Sequence, residues 1–291
     1  MIKIDPENTV TPKLHGMLLG AIGPRPIAFA STVDKKGNPN LSPYSFFNVF
    51  SANPPIVIFS PARRVRDNTT KHTLENVMET KEVVINIVNY DIVQQMSLSS
   101  TEYDQGVNEF TKAGLTMLPS EKVKPFRVAE SPVQLECKVN EVVPLGEEGG
   151  AGNLVICEVV LMHVNEAILD ANGSIDQAKI DQVARMGGNW YSRANQGMFE
   201  VPKPLKTKGI GVDMLPEAIR LSTIFTGNDL GKLGNIEMIP QKDEAQQFVD
   251  KNEDIKTYID QANPEEIHRF AQQYLDKDEI DTAWKILVAK T

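Results

Sequence analysis

The four histidines of the chain show no spacing that supports metal, nucleophilic or acid–base chemistry. They stand at positions 15, 72, 163 and 268, and no pair has the spacing of metal ligands. The motifs His-Glu-x-x-His and Gly-x-Ser-x-Gly do not occur, and neither does the Walker loop or Gly-x-Gly-x-x-Gly. We therefore predict no catalytic side chain and no metal site, and expect any reactive atom to belong to a bound cofactor.

The loop SPARRVRDNTTKHT (60–73) is the first candidate binding segment. It places Arg63, Arg64, Arg66 and Lys71 beside one acid, Asp67, and it runs from a predicted strand into a predicted helix start. Helix N-termini offer free N–H groups to anions, and arginine can grip a phosphate with two parallel hydrogen bonds. The loop is thus either a phosphate site or a solvated charged loop.

The segment NLSPYSFFN (40–48) is the second candidate. Backbone groups near Ser42–Ser45 could bond the polar edge of a planar heterocycle, with Phe46 or Phe47 packed nearby. An ordinary barrel strand remains the alternative.

The segment ARMGGNWY (184–191) is the third candidate. Its glycine pair permits close backbone approach, and Arg185, Trp190 and Tyr191 could contact a ligand ring. The alternative is a turn with packed aromatic residues. Flavin hydride chemistry would suit a chain without an acid–base constellation, because hydride passes between two rings while the protein supplies geometry and electrostatics.

The elements that would position these segments are mainly strands over the first 200 residues. A turn, DKKGNPN, follows the first strand, and GEEGGAG (146–152) reads as a hairpin loop between the last two. Short turns between strands favour a closed barrel over βαβ units. The predicted strands are 26–33, 41–50, 56–60, 83–88, 133–143 and 154–164.

Short helices interrupt the strands, and the C-terminal part is helical. Leu74, Val77 and Met78 have helical spacing, as do Ile92, Val93 and Met96. Residues 242–260 form an apolar helical stripe, and a last helix carries Trp284. Asn263-Pro264-Glu265-Glu266 is a helix start with a cap and a proline at the first position. We predict two domains, 1–205 and 206–291, and assign the second to structural cover or dimer contacts.

Composition narrows the class of protein. The chain has 291 residues, 41% of them hydrophobic, and a net charge of −9. The acidic balance and the absence of a basic recognition face disfavour nucleic acid, and no apolar run reaches the ~18 residues of a membrane span. Cys137 and Cys157 suit buried thiols in a reducing cytoplasm, and the N-terminus shows no signal pattern.

The run GPRPIAFASTVDKKGNPNLSPYSFFNVFSANPPIVIFS resembles the flavin reductase-like, or flavoredoxin-like, family. Further similarity follows in KHTLENVMETKEVVINIV, EFTKAGLTMLPS, VAESPVQLECKV and VARMGGNWY, which together cover about residues 10–195. The tail segment LPEAIRLSTIFTGNDLGKLGNIEMIP looks like an extension of one branch of that family. The resemblance implies a mainly β fold, an FMN-binding split β-barrel with short peripheral helices and a helical C-terminal extension, that forms a homodimer.

The resemblance also implies a set of cofactor-binding residues. Asn40–Ser45 would border the flavin ring near Ser31 and Thr32, the loop would hold the phosphate, and the Arg185 segment would face the open side of the ring. Arg25 belongs to the start motif, where a structural role is at least as plausible. The predicted set is Ser31, Thr32, Asn40, Leu41, Ser42, Pro43, Ser45, Phe46, Asn48, Ser60, Arg63, Lys71, Thr73, Arg185, Gly187, Gly188 and Tyr191.

The leading functional hypothesis is an NAD(P)H-dependent FMN reductase. NADH or NADPH would deliver hydride to the flavin, and a free flavin, an oxygenase partner or another acceptor would take the electrons. The alternative is an electron-transfer flavoprotein of the flavoredoxin type, reduced by a protein partner. A non-redox flavin-binding module and a pyridoxamine-phosphate-oxidase-like role fit the motifs less well.

Overall fold

The computed structural model of the chain describes residues 1–201, 203–204 and 208–290. The backbone divides into two compact units, residues 1–199 and 200–291. The domain boundary predicted between residues 205 and 206 lies outside the described residues.

The first unit is built on an antiparallel seven-stranded sheet. Its strands are β1 (Ala28–Val33), β2 (Pro39–Tyr44), β3 (Phe47–Ala52), β4 (Pro55–Phe59), β5 (Glu82–Ile87), β8 (Val133–Pro144) and β9 (Asn153–Val164). Two further pairs are β6 (Met117–Leu118) with β7 (Arg127–Val128), and β10 (Val183–Arg185) with β11 (Tyr191–Arg193).

The sheet order is β2-β1-β5-β8-β9-β4-β3, so its two edge strands follow one another in the chain. The connection between them is only Ser45–Phe46, which splits the predicted strand 41–50 into β2 and β3. The other predicted strands are confirmed to within a few residues, as is the hairpin loop between β8 and β9. The result is the predicted split β-barrel.

Successive side chains of β1 point to opposite faces of the sheet, and each face belongs to a different core. Ala28 and Ala30 belong to the barrel core, together with Phe59 and Cys157. Phe29, on the opposite face, belongs to a second core beneath the peripheral helices. Because both faces are covered, every residue of β1 is buried.

The helices of the first unit are α1 (Thr11–Ala21), α2 (His72–Thr80), α3 (Val93–Leu98) and α4 (Glu109–Ala113). In α2, Leu74 and Val77 are buried as predicted, but Met78 is exposed and its assignment to the apolar stripe was wrong. The sequence did not predict α1, which buries none of its residues.

The second unit is helical, as predicted, and has its own apolar core. Its helices are α5 (Glu217–Arg220), α6 (Gly227–Gly234), α7 (Lys242–Asp250), α8 (Glu253–Gln261), α9 (Pro264–Leu275) and α10 (Ile280–Ala289). The continuous helix expected over 242–260 is two helices. The helix start at Asn263 is confirmed, because its side chain accepts from the Glu266 N–H while the Glu266 carboxylate accepts from the Asn263 N–H.

Trp284 lies in the core of the second unit, where its indole N–H donates to the Leu233 carbonyl at 3.1 Å. Across the described residues, no helix combines the length and the apolar character that crossing a bilayer requires.

Candidate flavin site

Two neighbouring clefts of the first unit are lined by about half of the predicted binding residues. The first cleft has a volume of about 540 Å³, which is within the usual range for small-molecule sites. Its lining combines β2 and its end, α3, and the β10–β11 hairpin. The lining residues are Ile27, Pro43, Tyr44, Ser45, Gln94, Met96, Ser97, Ser100, Arg185, Asn189 and Tyr191.

The second cleft is smaller and more polar, and it shares Tyr44 and Ser100 with the first. Strand β2, the start of α2 and the segment after α3 form its walls. Its lining residues are Asn40, Ser42, Tyr44, Arg64, Lys71, His72, Thr73, Ser99, Ser100, Thr101, Glu102, Tyr103 and Glu109. The two shared residues place the clefts side by side.

A closed hydrogen-bond network supports the floor of the second cleft. Asn40 donates from Nδ2 to the hydroxyls of Thr73 at 2.8 Å and Thr32 at 3.3 Å. Asn76 donates to the same Thr32 hydroxyl at 3.0 Å. All four side chains are buried. Because these groups satisfy one another, strands β1 and β2 and helix α2 are fixed together directly below the cleft.

Lys71 is the cation best placed to meet an anion in this cleft. Its Nζ lies 5.0 Å from the centroid of the Tyr44 ring, and the ion pairs among the described residues leave the ammonium without a carboxylate partner. Burial, together with the nearby Arg64, lowers the pKa of Lys71. An ammonium held in this way would gain strongly from a bound phosphate.

Arg63 and Arg64 are adjacent in the loop but have different surroundings. Arg63 donates to the side chain and the carbonyl of Asn68, so its guanidinium stabilises its own loop. Arg64 lines the second cleft, where it donates to Thr69 at 2.9 Å and to Glu102 at 3.1 Å. Thus Arg64, rather than the predicted Arg63, faces the candidate anion site.

Tyr44 and Glu109, two buried side chains that line the second cleft, have raised pKa values. Burial raises the pKa of Tyr44 to about 12, so its hydroxyl stays protonated. Burial also raises the pKa of Glu109, although its carboxylate accepts a hydrogen bond from the Leu41 N–H at 3.0 Å. That bond joins α4 to the middle of β2.

The first cleft has a cationic wall. The Arg185 guanidinium carbon lies 4.6 Å from the centroid of the Tyr191 ring, so the two side chains stack. The lining also includes the apolar residues Ile27, Pro43 and Met96. No carboxylate or histidine of the described residues belongs to the lining of this cleft. The arrangement suits a flat, partly apolar ring with a polar edge.

The structure brings together about half of the predicted binding residues. Asn40, Ser42, Lys71 and Thr73 line the second cleft, and Pro43, Ser45, Arg185 and Tyr191 line the first. The other predicted residues line neither cleft. These are Ser31, Thr32, Leu41, Phe46, Asn48, Ser60, Arg63, Gly187 and Gly188.

Several of those residues lie in other parts of the barrel. Ser31 is buried, with a hydroxyl that has no partner among the described residues, and Thr32 belongs to the floor network. Phe46 contacts His15 edge-on, at 6.3 Å between ring centroids, while Phe47 packs against the barrel core. Ser60 lies beside Gly152 in the barrel wall.

Sequence reasoning missed the segment after α3. Ser97, Ser99, Ser100 and Thr101 line the two clefts. The hydroxyls of the last three donate to the carbonyls of Met96, Ser97 and Leu98. The run SLSSTEY carries a sequence signal, because four hydroxyl residues within five positions directly after a short amphipathic stripe could supply donors to a phosphate. The segment was overlooked because no cation accompanies it.

Comparison with known proteins supplies the family. The family model described as "Flavin reductase like domain" matches residues 21–179. An uncharacterized protein of Aquifex aeolicus is 39% identical over 181 residues, which are 62% of this chain and 90% of that protein.

Two solved structures share the fold over most of their length. Nitrilotriacetate monooxygenase component B from Bacillus cereus is 31% identical with a TM-score of 0.65, over 69% of this chain and 98% of that one. A putative flavin reductase with a split barrel domain from Shewanella frigidimarina is 28% identical with a TM-score of 0.59, over 70% and 100%. With more than half of its length matched by the family model, the chain belongs to the flavin reductase-like family.

Proposed function

We propose that this protein binds FMN and acts as an NAD(P)H-dependent flavin reductase. The observation that carries the proposal is the pair of adjacent clefts, because a polar cleft with a cation, Lys71, lies beside a cleft large enough for a flat ring. The family supports a flavin as the ligand.

The second cleft would hold the phosphate of FMN. Lys71 supplies positive charge that has no carboxylate partner among the described ion pairs, Arg64 adds charge that it shares with Glu102, and Thr73 supplies a hydroxyl. Charge-assisted hydrogen bonds to a phosphate are roughly twice as strong as neutral ones. The rest of the molecule would then lie in the adjacent first cleft.

The first cleft would hold the flavin ring. Pro43 and Ser45 lie at the end of β2, where backbone and hydroxyl groups can meet the polar edge of the ring. Arg185 would stabilise negative charge that develops on reduction, because a fixed cation in a partly desolvated site costs no reorganisation.

Bound FMN would supply the acceptor for hydride from a reduced nicotinamide. The protein's part is to orient two rings and exclude water, which accounts for a cleft lining without carboxylate or histidine among the described residues. Orientation of this kind can contribute a large effective molarity.

For the fate of the electrons, we propose transfer to a separate acceptor, with an oxygenase component as the first choice. The similarity to the component B protein of a monooxygenase supports this choice. Delivery by diffusing reduced flavin and delivery by direct contact would both need an open first cleft.

We also propose a homodimer. Strand β3 is an edge of the sheet, and Val49 and Phe50 on it are 65% and 63% exposed. An exposed apolar edge strand is a liability for a monomer and is usually paired or covered. Light scattering on the purified protein would measure the mass in solution, and a monomer at micromolar concentration would contradict this proposal.

The decisive experiment for the cofactor and the activity is the visible spectrum of purified, FMN-loaded protein before and after anaerobic NADH or NADPH. Bleaching of the flavin bands within seconds would support a reductase and identify the donor. Bands that persist with both nucleotides would favour an electron carrier reduced by a protein. A loaded sample that retains no flavin after gel filtration would contradict the cofactor proposal.

A further inference from the structure

The β10–β11 hairpin forms one wall of the first cleft, although it has little pairing of its own. Each strand has three residues, and the two form a separate small sheet. An isolated two-stranded hairpin is marginally stable at best in water. Something outside the hairpin must therefore hold Arg185 and Tyr191 in place.

Arg25 contacts this hairpin through both its backbone and its side chain. Its backbone N–H donates to the Arg185 carbonyl at 3.0 Å, and the Arg185 N–H donates back at 2.8 Å. The guanidinium then donates to the carbonyl of the next hairpin residue, Met186, at 2.9 Å.

The same guanidinium reaches two other segments. It donates to the carbonyls of Leu19, at 2.7 Å, and Ile22 at the C-terminal end of α1. Its Nε donates to the Ser45 hydroxyl at 3.5 Å. Helix ends leave carbonyls without intrahelical partners, so a cation satisfies them well.

Arg25 is only 6% exposed. Burial and the neighbouring Arg185 lower its pKa, so the buried cation depends on the carbonyl acceptors around it. A lysine could keep the charge but could not reproduce the planar fork that reaches three segments at once.

A second contact seats the hairpin on α1. A Cβ added to Gly187 would lie 3.0 Å from Gly20 Cα and 3.6 Å from the Leu19 carbonyl oxygen. The two backbones therefore touch without side chains between them. By contrast, a Cβ added to Gly20 would meet no heavy atom within 4 Å.

We propose that Arg25 is a positioning residue for the second substrate: it fixes the β10–β11 hairpin so that Arg185 and Tyr191 form a wall for the reduced nicotinamide. This inference rests on the proposed function for the identity of that substrate. Arg25 contacts the hairpin, the end of α1 and Ser45, whereas Lys71, Arg64 and Thr73 of the second cleft lie on other elements.

The test compares Arg25→Lys and Gly187→Ala with wild type, and uses Gly20→Ala as the matched control. Amide hydrogen exchange is measured first, on the protein without FMN. We expect exchange in residues 183–193 to be about tenfold faster in Arg25→Lys and Gly187→Ala, because about one to two hydrogen bonds or a close contact are lost. Gly20→Ala should exchange like wild type.

Kinetics and FMN titration then separate positioning from general destabilisation. We expect KM for the reduced nicotinamide to rise about tenfold in Arg25→Lys and Gly187→Ala, while the Kd for FMN changes less than about threefold. Unchanged exchange in the hairpin would overturn the proposal. Faster exchange throughout residues 1–199 together with lost FMN affinity would also overturn it, since Arg25 would then be a general structural residue.

The two proposals fail in different ways. If wild-type protein binds no FMN or ignores both nicotinamides, the proposed function fails, while hydrogen exchange still tests whether Arg25 holds the hairpin. If Arg25→Lys does not fold, the Gly187→Ala and Gly20→Ala pair tests the contact between the hairpin and α1 without changing Arg25.

Discussion

The two clefts are supported in different ways. The floor of the second cleft consists of side chains on β1, β2 and α2 that hydrogen-bond one another beneath the surface. The outer wall of the first cleft is the β10–β11 hairpin, residues 183–193, which is held by Arg25, by the Gly187 contact with α1 and by the Arg193–Asp181 ion pair. Under the proposed function, the phosphate of the cofactor and the wall that faces the second substrate would have separate supports, so mutations should affect them separately.

The largest expected effect concerns the hydrogen-bond network below the second cleft. Asn40→Ala removes the hydrogen bond donated to the buried Thr73 hydroxyl and leaves a small void, while Thr32 keeps the hydrogen bond from Asn76. We expect the free energy of unfolding to fall by about 2–3 kcal/mol and FMN affinity to fall about 30-fold or more. Urea denaturation and flavin titration measure the two quantities.

Asn48→Ala is the matched control for Asn40→Ala. The exposed Asn48 side chain accepts a hydrogen bond only from the neighbouring Val49 N–H among the described contacts. Its replacement should change stability by less than about 0.5 kcal/mol. Equal losses in the two variants would contradict the idea that the floor network is special.

The next effect concerns charge in the second cleft. Lys71→Met should weaken FMN binding by about 10- to 100-fold, because a charge-assisted contact to phosphate contributes about 1.5–3 kcal/mol. Riboflavin, which lacks the phosphate, should bind both proteins alike. Arg63→Gln should leave FMN affinity within about threefold, since Arg63 bonds Asn68 instead. Weaker riboflavin binding in Lys71→Met would place the phosphate elsewhere.

The sequence predicted the regular parts of the site better than the loops. Strands β1 and β2 follow from β-branched and aromatic runs around a turn, whereas Asn40 and Thr73 were selected as site residues because of the family resemblance. The choice between Arg63 and Arg64 could not be made, because it depends on which guanidinium meets Asn68 and which meets Glu102. Such contacts form only after the loop has closed.

Helix α1 and the tail show the same limit. The tail was predicted as helical from its apolar stripes and from the cap at Asn263, which are local signals. The break between α7 and α8 was not predicted, because the stripe continues across Lys251 and Asn252. Helix α1 has no buried face in the described structure, so it has no amphipathic signal of the usual kind.

A smaller effect is the pH dependence of FMN binding. Lys71 binds phosphate only when protonated, and its pKa is lowered by burial. We therefore expect FMN affinity to decline on the alkaline side at a lower pH than an ordinary lysine would cause. Lys71→Arg should remove the decline, because arginine stays charged. Riboflavin serves as the control for ionisation of the flavin ring, and an identical decline with riboflavin would contradict the assignment.

The smallest expected effect concerns Glu109, whose carboxylate joins α4 to β2. Burial raises the folded-state pKa of Glu109 above its ordinary value, so the folded protein holds this proton more tightly than the unfolded chain does. Stability from this group is therefore complete below the unfolded pKa and declines as pH rises through the folded pKa. Glu109→Gln keeps an oxygen to accept from the Leu41 N–H and removes the buried charge. We expect this variant at neutral pH to be as stable as wild type or up to about 1 kcal/mol more stable, with a flatter stability profile between acidic and neutral pH. Urea denaturation across that range measures the profile, and a loss of stability at neutral pH would show that the Leu41 contact requires the carboxylate itself.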